Sequence, residues 1–233
     1  MSQKKKLVVL TGAGISAESG VPTFRDSNGL WEGHEVMTVA TPEGFQNNPE
    51  LVLDFYNQRR KQLHLVQPNQ GHLILAELEN DYDVYIITQN VDNLHEKAGS
   101  SNVLHLHGEL LKVRSVSNSM HILDWHGDLK LTDKDPEGNQ LRPHIVWFGE
   151  EVPALEEAVD ITEQADIFAV IGTSLQVYPA AGLVQYANPN IPIFYVDPNP
   201  APMNNVGKRL TVIAEPASTG VAIFREKLAS IDF

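Results

Sequence analysis

Short apolar runs closed by small or polar residues recur along this chain. LVVL at Leu7–Leu10 stops at Thr11-Gly12. The segments Val84–Asn90, Asp166–Ser174 and Ile191–Asn199 behave alike, ending in Gln89 to Asp92, Gly172 to Ser174 and Asp197 to Asn199. Apolar runs of this length, without polar alternation, predict strands buried on both faces of a parallel sheet. Between them, Gly71–Asn80 and Leu155–Gln164 carry helical spacing and supply the crossovers. The pattern predicts an α/β fold, a Rossmann-like doubly wound parallel sheet. Ligands bind such a sheet beyond the carboxyl ends of its strands, so the four polar strand ends should converge on one crevice.

Two stretches break the alternation. Glu35–Pro68 reads as mostly helical, and Leu111–Arg142 is polar and rich in turn residues. Both are assigned to a second, smaller lobe made of two insertions, 35–68 and 111–142, with 1–34, 69–110 and 143–233 forming the larger domain. In NPELVLDFYNQRRKQLHLV, Pro49 suits a first helical turn, and Leu51, Val52, Phe55, Leu63 and Val66 fall on one face. Arg59 lies inside that apolar arc with Tyr56 beside it, whereas Arg60 and Lys61 are expected to point away. An inward guanidinium requires a partner, either a carboxylate of the protein or one of a ligand.

Composition narrows the possible partners. The 233 residues are 42% hydrophobic and 20% charged, as in ordinary globular proteins. Lys and Arg total 17 against 30 Asp and Glu, a net charge of −13 that repels a phosphate backbone, so no nucleic-acid partner is expected. Zero cysteines exclude disulfides, thiolate catalysis and zinc sites built on sulfur. The run after Lys4–Lys6 is too short for a signal sequence, and no stretch is long enough to span a bilayer. A cytoplasmic location without a membrane partner is expected.

Two motifs carry candidate chemistry. Gly12 and Gly14 permit a tight turn with close approach of a ligand, and Ser16 to Ser19 can open a helix favouring an anion. The third glycine, Gly20, follows six positions after Gly14 rather than three, so the glycines alone fit a nucleotide site and a plain turn equally. In LHLHGELLKVR, an extended Val103–His107 would put His105 and His107 on one face as a metal pair, with His121, Asp124 or His126 as a third ligand. The simpler reading has His105 packed or hydrogen-bonded and His107 facing a cleft as a lone base.

Taken in order, GAGISAESGVPTFRD, TQNVDNLHEKAG, HLHGELLKVR, RPHIVWFGE and GTSLQVYPAAGL resemble the sirtuins, the NAD-dependent protein lysine deacylases. The match runs from Leu7 to at least Pro200 and is strongest to bacterial enzymes and mitochondrial relatives that remove acidic acyl groups. This resemblance implies that Gly12, Ala13, Gly14 and Ser16 hold the pyrophosphate of NAD, and that Glu18 to Thr23 form the near wall. Phe24, Arg25 and Asp26 would lie on a loop closing over the nicotinamide ribose. Gln89 and Asn90 would reach the ribose and an ordered water, and Asp92 the nicotinamide amide. Gly172, Thr173, Ser174, Asp197, Asn199 and the backbone near Ala217 would line the adenosine end.

By the same resemblance, His107 is the general base, with Asn90 beside it. The acyl group passes to ADP-ribose, and nicotinamide is released. Val146, Trp147, Phe148 and Gly149 would pair with substrate backbone, and Tyr56 and Arg59 would bind the distal carboxylate of a succinyl or malonyl group. Mono-ADP-ribosyl transfer from the same site is the alternative, and metal-dependent hydrolysis through His105 and His107 is a third reading. Most sirtuins carry two Cys-x-x-Cys pairs in the small lobe, whereas 114–142 contains no cysteine. No zinc is therefore predicted, and packing through Ile122, Leu123, Trp125 and Leu131 is expected to hold the lobe instead.

Overall fold

Lys6–Thr11 forms β1, and its residues from Leu7 to Thr11 are buried, as a central parallel strand requires. The structure is a computed structural model describing residues 4–22, 30–31, 33–203 and 209–231. After β1 come α1 (Ala13–Ala17), a hairpin of β2 (Leu30–Trp31) and β3 (His34–Glu35), and the helices α2 (Val36–Val39), α3 (Pro42–Asn47) and α4 (Pro49–Leu63). Next are α5 (Gln70–Glu77), β4 (Asp83–Thr88), α6 (Leu94–Ala98), β5 (Val103–His105), β6 (Gly108–Ser115), β7 (Ile122–Asp124) and β8 (Leu141–Ile145). The chain continues through α7 (Leu155–Glu163), β9 (Ile167–Ile171), β10 (Ile193–Val196), β11 (Leu210–Ile213) and α8 (Ala217–Leu228).

Six strands form one parallel sheet in the order β11-β10-β9-β1-β4-β5. The chain winds outward from β1 first toward β5 and then toward β11, so the switch point lies between β1 and β9. Alternate side chains of β1 feed two cores. Leu7 and Val9 pack with Ile74 of α5 and Phe224 of α8, and Val8 and Leu10 pack with Ala158 of α7 and Phe168 of β9. β11 escaped the sequence pattern because this edge strand is only partly buried and carries no continuous apolar run.

Alongside the sheet, α2 to α4 and a three-stranded antiparallel sheet, β7-β6-β8, build the smaller lobe. Pro49 does begin α4, and the Asn48 side chain accepts the Leu51 N–H at 3.1 Å to cap it. The expected packing of the lobe needs correction. Ile122 and Leu123 lie on the edge strand β7, 40% and 37% exposed, while Leu53, Val113, Leu129 and Leu141 form the core with Trp125 and Leu131 at its margin.

Arg60 needs correction too, since it is buried instead of pointing away. Its guanidinium donates to the Leu110 carbonyl at 3.0 Å and to Asn57 Oδ1 at 2.7 Å. Asn57 in turn donates to the Leu129 carbonyl and accepts the Leu129 N–H. Helix α4 thereby clamps the β part of the lobe through polar groups, a tertiary pairing that helical periodicity cannot reveal. Lys61 stays on the surface with Asp128. Among the described residues, no helix is long and apolar enough to cross a membrane.

Candidate active site

A cavity of about 500 Å³ opens at the carboxyl end of the sheet, over the β1/β9 switch point. Gly12 to Gly14, Gln89 to Asp92, Gly172 to Ser174 and Asp197 to Asn199 all line it, so the four polar strand ends converge as the fold rule requires. The glycines have a second reason to be glycine. Gly14 N–H donates to the Gly172 carbonyl at 2.7 Å, and a Cβ on Gly14 would sit 2.7 Å from Gly172 Cα. A Cβ on Gly12 would lie 2.6 Å from the Thr173 Cβ. Two loops therefore touch backbone to backbone at the base of the cavity, leaving a concave wall of small residues that suits a pyrophosphate.

Polar side chains cross-link the floor. Asn90 Nδ2 donates to the Gly12 carbonyl at 3.1 Å and to Ser16 Oγ at 3.2 Å, and Ser16 Oγ donates to Asp92 at 2.9 Å. Gln89 Nε2 reaches Thr173 Oγ1 at 3.1 Å. Asp92 is buried, which pushes its carboxyl pKa up, although the Leu94 N–H and the Ser16 hydroxyl favour the charged form. The residue thus holds the start of α6 while lining the cavity.

The histidines divide their work. His107 lines the cavity with Nδ1 3.0 Å from the Gln89 carbonyl, which places the ring proton on Nδ1 and leaves the Nε2 lone pair available. Burial lowers its pKa against the opposing pull of that carbonyl, so the ring is neutral, the form a base requires. His105 is different. Its Nδ1 meets the Asn90 carbonyl at 2.9 Å and its Nε2 the Glu96 carboxylate at 2.8 Å. Burial opposes its charge, yet Glu96 and the carbonyl outweigh burial and raise its pKa. The two rings hold successive carbonyls of one loop, and both His105 nitrogens are taken, which leaves His105 no lone pair for a metal. Among the described residues, no group of three His, Cys, Asp or Glu could hold a metal ion.

At the small-lobe end, Tyr56 and Arg59 of α4 line the same cavity. Trp147 Nε1 donates to Tyr56 Oη at 2.9 Å. An indole N–H only donates, so the phenol accepts there and keeps its own O–H for donation. Burial raises the Tyr56 pKa, which keeps that proton in place. Arg59 donates to the Phe55 carbonyl at 2.9 Å and lies 4.2 Å over the Phe55 ring, an arrangement that pins the guanidinium at the cavity wall.

Other expected positions fall variously. Glu18 lines the cavity, but its carboxylate is turned to α8, accepting the Ser218 N–H and hydroxyl at 2.8 and 2.6 Å. Ala13 and Ser174 also line it. Pro216 lines the cavity where Ala217 was expected, and Ala217 is buried with its carbonyl against Gly71. Thr23, Phe24, Arg25 and Asp26 lie outside the described residues. Val146 to Gly149 form one rim, but the N–H groups of Val146, Trp147 and Phe148 are taken by His107 O, Glu150 and Ala40 O, so strand pairing there would run through carbonyls. Sequence reasoning placed Glu150 at the end of the Val146–Glu150 edge but missed its pairing with Arg114 and Arg142, for which the chain carries no local signal, since Arg114 lies 36 residues before Glu150.

Comparisons with known proteins point one way. Residues 12–179 match the Sir2 family. An NAD-dependent protein deacylase of Helicobacter pylori (strain J99) is 61% identical over 194 residues, covering 83% of each chain. One from Bacteroides thetaiotaomicron is 53% identical over 230 residues, covering 96% of this chain and 98% of the relative. A crystal structure of a Sir2 homologue–NAD complex superposes with a TM-score of 0.85 at 39% identity, over 97% of this chain and 91% of that one.

Proposed function

The chain belongs to the Sir2 family and is an NAD-dependent protein deacylase acting on acylated lysine, and we propose that it removes succinyl and malonyl groups at least as well as acetyl. The observation that carries the acyl preference is the fixed polarity of the pair at the end of the cavity. Arg59 is a permanent cation, and Tyr56 is made a donor by the Trp147 indole. A cation beside an O–H donor, in a largely desolvated end of the cavity, suits a carboxylate better than a methyl group.

NAD is the co-substrate, and the residues present fit it. The Gly12–Gly14 and Gly172–Ser174 loops offer the pyrophosphate a wall without side chains, and Asn90, Ser16 and Asp92 form a polar floor for the ribose and amide. His107 would supply the base: with Gln89 O holding Nδ1, Nε2 is the nitrogen left to take a proton from a ribose hydroxyl. No side-chain nucleophile is required, in keeping with the absence of cysteine.

Substituting Arg59 by Met tests the acyl preference. A charge-assisted hydrogen bond is worth about 1.5–3 kcal/mol, so kcat/KM for a succinyl-lysine peptide should fall roughly 10- to 100-fold while that for the acetyl peptide stays nearly constant. Equal loss on both peptides would make Arg59 a structural arginine and end the proposal. Transfer of label from NAD onto protein, in place of deacylation, would favour the ADP-ribosyl reading.

A further inference from the structure

Behind the substrate rim lies an ionic cluster that the deacylase reading leaves unexplained. The Glu150 carboxylate accepts from Arg142 Nη1 and Nη2 at 2.6 and 3.1 Å, from Arg114 Nη2 at 3.0 and 3.1 Å, and from the Trp147 N–H at 2.8 Å. Both arginine side chains are at least nine-tenths buried. Two guanidiniums facing one carboxylate leave a net buried positive charge, which a purely structural ion pair would avoid. The Arg142 guanidinium also stacks on Trp147, its Cζ 3.3 Å from the ring centroid, and donates to the Ile145 carbonyl at 2.9 Å. The N–H of that indole is the donor that orients Tyr56.

We propose that Glu150 and Arg142 are positioning residues for the acyl-lysine half of the site. Glu150 fixes the rim by holding the Trp147 backbone, and Arg142 fixes the Trp147 ring from beneath. Through that ring both set the Tyr56 hydroxyl at the acyl end. The route from Glu150 to the cavity is a continuous series of contacts, each at hydrogen-bonding or stacking distance, and none of them touches the residues that would hold NAD. A stacked cation also strengthens an indole N–H as a donor by drawing electron density from the ring. Glu150 itself lines the cavity with Phe148 and Gly149, so rim and acyl end share one anchor.

The test is steady-state kinetics of Glu150→Gln and Arg142→Lys, with acetyl- and succinyl-lysine peptides and with NAD varied separately. Displacing a binding edge by a fraction of an ångström costs on the order of 10-fold or more, so KM for either peptide should rise by about that factor, with KM for NAD constant within about twofold. A structural role would lower kcat through lost folded enzyme and leave both KM values alone. That outcome, or a parallel rise of both KM values, would overturn the proposal, as would unchanged peptide KM in both variants. Arg142→Lys keeps the charge and provides the reading if Glu150→Gln fails to fold. Should the wild type show no succinyl activity, the acetyl peptide still decides this proposal while the acyl preference fails separately.

Discussion

At the scale of single residues, the proposed base His107 is shaped by one carbonyl and by burial. Gln89 O fixes the tautomer, and the desolvated pocket keeps the ring neutral. Removing the imidazole with His107→Ala should lower formation of deacylated peptide by roughly 10²- to 10⁴-fold with every acyl group while calorimetry still records NAD binding. Turnover at the wild-type rate would exclude His107 as the base. The pH dependence has a definite sign. The proposed base acts as the neutral ring, and burial lowers its pKa, so the acid limb of kcat/KM should have its midpoint below the ordinary histidine value of about 6.5. His105, held between Glu96 and Asn90 O, cannot substitute for it, because both of its nitrogens are engaged.

At the scale of elements, α4 serves three environments at once. Tyr56 and Arg59 face the cavity, Val52 and Phe55 enter the core, and Asn57 and Arg60 seize the β part of the lobe. Truncating Asn57 to Ala strands the Leu129 N–H and carbonyl and one Arg60 donor, each an orphan costing about 1–3 kcal/mol, so urea unfolding should show a loss of that order or more. A second fastening is the Asp135 carboxylate, which accepts from Ser115 Oγ and Asn139 and joins the end of β6 to the Asp135–Asn139 turn. Burial opposes its ionisation, but these bonds win and hold its pKa at about 2, below the unfolded value near 3.9. Its contribution is therefore complete above about pH 4 and is lost as pH falls toward 2. Asp135→Asn should flatten the fall in unfolding midpoint over that window, and an unchanged acid profile would show that other carboxylates govern it.

For the whole molecule, binding at the switch point couples the sheet to its ligand. A ligand bound to the folded state alone at 100 times its Kd adds about 2.7 kcal/mol, which for a chain of this size raises Tm by about 5–10 °C. ADP-ribose at that ratio should produce the shift, and Gly14→Ala should abolish it, because the new Cβ collides with Gly172 backbone. A chelator should leave the melting curve in place, since the lobe is fastened through Asn57, Arg60 and Asp135.

Four of the parallel strands (β1, β4, β9 and β10), the crossover helices α5 and α7, and the convergence of the strands' polar ends at Gly12–Gly14, Gln89–Asp92, Gly172–Ser174 and Asp197–Asn199 were legible in the chain, whereas the edge strand β11 was not. Buried strands must be continuously apolar, and their polar ends have one place to go. The order of motifs identified the family and pointed to His107. Other features depended on tertiary structure. Arg60 has a surface-like position on a helical wheel and became buried because Leu110, at the start of β6, and Gly127 of the second insertion supplied carbonyls for it. Glu150 and Arg142, eight residues apart in sequence, form an ion pair only because β8 and the turn after it fold back. Whether a charge faces water or a partner depends on contacts between segments remote in sequence, and no local pattern encodes them.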